Sequence, residues 1–364
     1  MITQEQEFNF DDVLKQKDRG KLGLNVGIPI DGLARLSNRI DNLQKYSYIL
    51  IAGDTGSGKT GLSVTTIMSA LRSSVPVYVQ VLSLELAPVP MKLRMIANHW
   101  YHKFGETVSG SQLLSKGSNR ITSTQEDKLE IVTKELTEII DGRIDLRCEM
   151  INSVKGFQKH QLNFYSRFGE FKSIANNYKE YIPNDPDAYY ITIVDNISNF
   201  TSRELINDVS KSIVQFRNQT GGIYIALQQY SADMEKSMTA AGKSSNMRTI
   251  REPILTDLGD SKATARDAEL VLMMFYPARY GATSFQGWNI KEGSENNLGE
   301  IIRGIKIAKA RDGSDSGTLS FALNGAANVV GEMPPIPPSK KEYPDEFYER
   351  LMNKDFRQLL NYEV

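Results

Sequence analysis

Six stretches of the chain are short and nearly continuous in apolar, β-branched and aromatic residues: 47–52 (SYILIA), 77–83 (VYVQVLS), 143–151 (RIDLRCEMI), 189–195 (YYITIVD), 222–228 (GIYIALQ) and 270–276 (LVLMMFY). Runs of this kind lack the alternation of a strand with one wet face, so they predict strands covered on both sides, as in a parallel sheet. Between them the apolar period lengthens. Leu129, Val132, Leu136 and Ile139 recur at three and four residues within 124–141, and Leu205, Val209, Ile213 and Phe216 do the same within 204–219, which predicts two amphipathic helices. Alternating strands and helices imply a wound α/β fold that binds ligands at the carboxyl ends of its strands. Two later runs, 301–309 and 318–323, are joined by ARDGSDSG, whose Gly and Asp residues predict a hairpin turn, so the sheet should finish antiparallel. The proline-rich 333–344 reads as a stiff linker to a short amphipathic helix around Phe347, Leu351 and Leu359. The organisation expected is a linker or docking segment at 1–25, one large α/β domain at 26–332, and a linker with a helical tail at 333–364.

Composition narrows the class. The 364 residues are 40% hydrophobic and 24% charged, and no apolar run approaches the length that crosses a bilayer. A membrane partner is therefore not expected. The first twenty residues are polar and acidic, unlike a signal peptide, and a single cysteine, Cys148, permits no internal disulfide. A cytoplasmic location is the expectation, the host cytoplasm if the source is viral. With 43 basic and 44 acidic residues the net charge is −1, so any contact with nucleic acid must be local.

The most specific motif is at 53–60, GDTGSGKT. Gly53, Asp54, Thr55, Gly56, Ser57, Gly58, Lys59 and Thr60 fit G-x-x-x-x-G-K-[ST] between a predicted strand and a predicted helix. Glycines let backbone N–H groups wrap a phosphate chain at a helix N-terminus, Lys59 adds a point charge at the β and γ phosphates, and the Thr60 hydroxyl can ligate Mg²⁺. Hydrolysis needs further groups. Asp195 ends one apolar strand, where a carboxylate facing the loop could serve the metal, and Glu85 follows another, where it could act on water. ATP and Mg²⁺ are the cofactors this motif calls for.

The ordered set GIPIDGLARLSNRI, IAGDTGSGKTGLS, VLSLELAPVPMKLRMIA, ITIVDNIS, IYIALQQYS, PILTDLGDSKATARDAELVLMMF and IAKARDGSDSGTLSFAL resembles the RecA-like ATPase domain of the DnaB-type replicative helicases, superfamily 4, over about residues 26–330. The resemblance implies a RecA-like P-loop NTPase fold with Glu85 as the base for water, Asp195 as the metal-directing carboxylate and Gln229 as the sensor of the γ phosphate. It further implies that Lys309 and Arg311 reach into a neighbouring subunit's site, so the active form is a homo-oligomeric ring, hexameric by family precedent, with a primase or a loader as a further partner. The Gly-, Ser- and Met-rich segment 231–252 would be the loop that tracks single-stranded DNA, through Lys236, Lys243, Arg248 and Arg251.

Departures from the pattern are specific. With 25 residues ahead of the ATPase region, the family's usual N-terminal helical domain is not expected here, Gly259 stands where the family usually has arginine, Lys262 stands where it has a small residue, and 152–188 is longer and more polar than expected. These features fit a phage or mobile-element member. Two other readings stay open: a RecA-type recombination ATPase that coats DNA, and a non-catalytic assembly or packaging protein that keeps nucleotide for ring formation.

Overall fold

A computed structural model describes residues 10–22, 26–175, 178–241, 250–259, 262–293, 296–311, 317–335 and 343–360. The strands, in chain order, are β1 (Tyr48–Gly53), β2 (Val77–Ser83), β3 (Ile144–Arg147), β4 (Gly169–Ala175), β5 (Tyr178–Pro183), β6 (Tyr189–Asp195), β7 (Ile223–Gln229), β8 (Leu270–Phe275), β9 (Ser284–Phe285), β10 (Trp288–Asn289), β11 (Ile302–Ala310), β12 (Gly317–Asn324) and β13 (Val329–Glu332). Nine of them form one sheet in the order β13-β12-β11-β8-β1-β7-β6-β2-β3. The six strands from β8 to β3 run parallel, and β11, β12 and β13 close the other edge antiparallel. The predicted architecture is therefore the observed one.

Strand periodicity divides the core. Ile49 and Ile51 of β1 point into one apolar layer, with the helices Lys59–Arg72, Pro88–Phe104 and Ser123–Ile140; Tyr48, Leu50 and Ala52 point into the other, with the helices Val154–Tyr165 and Arg203–Thr220. This explains why the central runs are continuously apolar. A third cluster joins Trp288, Ala322 of β12 and the tail residues Leu351, Phe356 and Leu359. The tail, expected as one short amphipathic helix, forms two, Asp345–Met352 and Arg357–Leu360, which lie against the antiparallel edge.

Two segments differ from the sequence expectation. The polar stretch 152–188 contains the helix Val154–Tyr165 and the antiparallel hairpin β4–β5, which carries Tyr181 into a packed group with Tyr165 and Tyr190. Within 231–252, residues Ala232–Ala241 are helical instead of looped, because Met234 and Met238, one helical turn apart, are buried in the second layer. Among the described residues no helix is long and apolar enough to cross a membrane.

Candidate nucleotide site

The phosphate-loop motif forms the turn between β1 and the helix Lys59–Arg72. Its first glycine is required by crowding: a Cβ on Gly53 would lie 2.5 Å from Ser57 Oγ and 2.9 Å from the Met274 carbonyl oxygen. Gly58 has a φ of +99°, a left-handed conformation that costs glycine little and lets the chain enter the helix directly. Ser57 Oγ donates to the Asp54 carbonyl at 2.8 Å, and Lys59 Nζ donates to the carbonyls of Gly53 and Asp54 at 2.6 and 2.8 Å. Lys59 thus curls over the loop, with its ammonium at the mouth where phosphate oxygens would enter. Thr60 follows in the first helical turn, partly exposed.

The loop is braced from the antiparallel side by residues that the sequence reading did not single out. Tyr280 donates to Asp54 Oδ2 at 2.5 Å, Arg303 Nε donates to the Gly56 carbonyl at 3.0 Å, and Arg279 donates to the Thr55 carbonyl. Arg303 also lies 3.4 Å from the centre of the Tyr276 ring. The two arginines hold carbonyl oxygens of the loop, Thr55 and Gly56, and so fix its shape. Nothing local in the sequence marks them, since they come from the 3-10 turn Pro277–Tyr280 and from β11, more than 200 residues after the motif.

A cavity of about 230 Å³ brings the loop together with Glu85, Arg94, Asp195 and Gln229. Parallel pairing explains the convergence. Gly53 is in register with Gln229, and Ser83 with Asp195, so the ends of β1, β7, β6 and β2 open on the same rim. Glu85 and Gln229 are exposed there, whereas Asp195 is 2% exposed. Asp195 Oδ2 is buried without a hydrogen-bond partner. Burial first, then the nearby Glu85 charge, push its carboxyl up to about 6, with Lys59 and Arg94 opposing. A buried carboxylate oxygen without a partner, on a residue that lines the same cavity as Thr60 and the phosphate loop, fits a magnesium ion, which takes one or two carboxylates and completes its shell with water and phosphate. Arg94 lies in the middle of the helix Pro88–Phe104, where only the fold reveals its position.

Lys309 and Arg311 lie elsewhere. β11 pairs antiparallel with β8, so Lys309 is in register with Val271 while Gly53 is in register with Met274, three residues or roughly 10 Å further along the sheet. Lys309 Nζ donates to the carbonyls of Ala265, Arg266 and Ala268 at 2.7, 2.8 and 2.6 Å, capping the short helix Ala263–Asp267. Arg311 pairs with Glu269 at 3.1 Å and donates to the Arg266 carbonyl at 3.1 Å. Within one chain this pair does not join the cavity.

Of the candidate DNA contacts, Lys236 is exposed on the helix Ala232–Ala241, 3.7 Å from Asp233. Arg251 makes two bonds to the Asp257 carboxylate, at 3.0 and 2.8 Å, so its charge is engaged by a residue just beyond the segment. Lys243 and Arg248 lie outside the described residues.

No protein-family model matches the sequence, and no curated protein sequence matches it. Solved structures do. A solved ATPase domain superposes with a TM-score of 0.66 at 18% identity, over 90% of this chain and 100% of that one. A DnaB-like replicative helicase, in a structure that also treats its interactions with primase, superposes with a TM-score of 0.64 at 16% identity, over 91% of this chain and 68% of that one. The fold, a mostly parallel sheet between helices with an antiparallel edge, is therefore similar to that of the ATPase domains of DnaB-like helicases.

Proposed function

We propose that the chain is the motor of a ring-forming DNA helicase that hydrolyses ATP between subunits and translocates on single-stranded DNA. The observation that carries this reading is the cavity in which Lys59, Glu85, Asp195 and Gln229, from four separate segments, meet at the phosphate loop. In this mechanism the loop's N–H groups and Lys59 bind the phosphates, and Glu85 polarises a water for in-line attack on the γ phosphorus. Thr60 and Asp195 are the residues that would hold Mg²⁺, which when bound neutralises charge on the β and γ oxygens. Gln229 lies at the end of β7, shortly before the helix that carries Lys236, a direct covalent path from the phosphate end to a DNA-facing segment.

Lys309 and Arg311 supply the argument for a ring. They sit too far from their own chain's loop to serve it, so their proposed task is in a neighbour's site, where an arginine of this kind contributes about 10³ to 10⁵ in rate. The helix Asp11–Lys21 leaves Val13 and Leu14 exposed, and we assign that face to subunit docking. A primase or loader is a further partner in this reading.

The test is ATP hydrolysis by the purified protein with and without single-stranded DNA, alongside Lys59→Ala and Arg311→Ala. Stimulation by DNA that both variants lose supports the motor. Nucleotide binding without turnover under either condition moves the assignment to a nucleotide-dependent assembly protein. Hydrolysis and DNA coating without strand separation favours a recombination ATPase.

A further inference from the structure

The two cations at the end of β11 are held differently within their own chain. Lys309 directs all three ammonium donors at the carbonyls of Ala265, Arg266 and Ala268, which fixes the end of the helix Ala263–Asp267. Arg311 rests on the same Arg266 carbonyl through Nη2 at 3.1 Å, and on Glu269 Oε1 through Nη1 at 3.1 Å. A guanidinium carries five N–H donors in one rigid plane, so bonds to two separate points set that plane while three donors remain among the described contacts.

Glu269 is built as an anchor. It stands just before β8, where its backbone N–H donates to the Tyr48 carbonyl at 2.9 Å and its carbonyl accepts from the Arg311 N–H at 3.1 Å, so β1 and the end of β11 both hold its main chain. Its side chain accepts from the Tyr48 N–H through Oε2 at 2.9 Å and pairs with Arg217 of the helix Arg203–Thr220. The Arg217 side chain is 11% exposed, that of Glu269 18% and that of Arg311 52%. The carboxylate is thus pinned on its inner side and carries Arg311 on its outer side. An ion pair this exposed contributes little to stability, so its consequence is where the guanidinium points.

We propose that Glu269 is the positioning residue of Arg311, holding its guanidinium within one subunit in the orientation that meets the phosphates in the neighbour's nucleotide site. This deepens the reading of Arg311 as a cation acting between subunits and rests on it. A long side chain ordered only at each encounter loses rotamer freedom at that moment, whereas one ordered beforehand does not. Charge alone works in the other direction. A carboxylate beside an arginine that serves phosphate weakens the attraction, so the sign of the change when its charge is removed separates aiming from shielding. Lys309 supports the same aim, because it fixes the Arg266 carbonyl on which Arg311 rests.

The experiment is DNA-stimulated ATP hydrolysis in mixtures of two full chains, Lys59→Ala, which supplies Arg311, and Arg311→Ala, which supplies the phosphate loop. Glu269→Gln is then added to one chain or to the other. On the chain that supplies Arg311 it should lower the hydrolysis recovered by mixing by about tenfold to a hundredfold, the scale of a misplacement of about 1 Å. On the chain that supplies the loop it should change the recovery by less than about twofold, which also shows that the substituted chain folds and assembles. Glu269→Asp, which keeps the charge for Arg217 and draws it back from Arg311, should give the same one-sided loss at about threefold. Equal effects in the two placements, no effect in either, or faster hydrolysis when the charge is removed overturns the proposal. The mixture without a change at Glu269 is the separate control: if it recovers no hydrolysis, the reading of Arg311 as acting between subunits fails, and the proposal falls with it.

Discussion

Two buried aspartates sit on the same sheet and are treated in opposite ways. Asp145 on β3 is 9% exposed and fully engaged: Gln80 Nε2 donates to it at 2.9 Å and Arg147 Nε at 2.7 Å. Gln80 in turn accepts from Gln161 Nε2 at 2.7 Å, and Gln161 Oε1 accepts from Tyr224 at 3.1 Å and Thr192 at 3.3 Å. Asp195, at the carboxyl end of β6, is more deeply buried and keeps one oxygen without a partner. Burial of a polar group is tolerable when it is bonded and costly when it is not. The first cluster therefore stabilises and orients the sheet, while the second holds an unpartnered carboxylate oxygen that costs the folded chain free energy and that the metal of the proposed function would relieve.

The largest expected separation between the two is in catalysis. Asp195→Asn should lower ATP turnover by on the order of 10³-fold, because it removes the charge that serves the metal, whereas Asp145→Asn should leave turnover within about threefold. Steady-state hydrolysis assays of both variants check this, and comparable losses would erase the distinction. Next comes the trans arrangement of Arg311. Mixing Lys59→Ala with Arg311→Ala protein should restore measurable hydrolysis absent from either alone, because some interfaces then combine an intact loop with an intact arginine; no recovery in mixed assemblies would place Arg311 outside catalysis.

Stability should divide the aspartates with opposite sign. Asp145→Ala should cost roughly 1–2 kcal/mol in urea unfolding, since it removes the acceptor of Gln80 and Arg147 while Gln80 Nε2 keeps the His160 carbonyl and Arg147 can turn to water. Asp195→Asn should stabilise the nucleotide-free chain at pH 7 by up to about 3 kcal/mol, the equivalent of a carboxyl raised from 3.8 to about 6. The sign follows from proton binding. Between about pH 4 and 6 the folded chain holds a proton on Asp195 that the unfolded chain releases, so this residue's contribution makes stability fall as pH rises through that window. The change in stability from about pH 4.5 to about pH 6.5 should therefore be more positive in Asp195→Asn than in the unaltered chain, because the contribution that falls with pH has been removed, and an unchanged difference would deny Asp195 its raised pKa.

Much of this was legible in the sequence, for a physical reason. β2 and β6 match their apolar runs at both ends, and β1 and β7 fall within a residue of theirs, because strands covered on both faces cannot hide their hydrophobicity. The phosphate loop was legible because Gly53 and Gly58 meet local steric demands. The helix Ala232–Ala241 left a weaker trace, the Met234 and Met238 pair, which glycine and serine nearby obscured. Arg94 lay within a segment that carries the resemblance but its place in the cavity did not show there: its partner Asn328 is 234 residues away in sequence, and only the antiparallel edge folding back over the phosphate-loop helix joins them. The bracing of the loop by Arg279, Tyr280 and Arg303 was hidden for the same reason.

The most direct test is chemical unfolding at pH 7 of the unaltered chain and of Asp195→Asn, each without ligand and with Mg²⁺ and a non-hydrolysable ATP analogue. The account predicts that Asp195→Asn is the more stable without ligand and gains much less from Mg²⁺ and nucleotide, so that the gap narrows or reverses. Equal stability without ligand together with equal stabilisation by Mg²⁺ and nucleotide would contradict it.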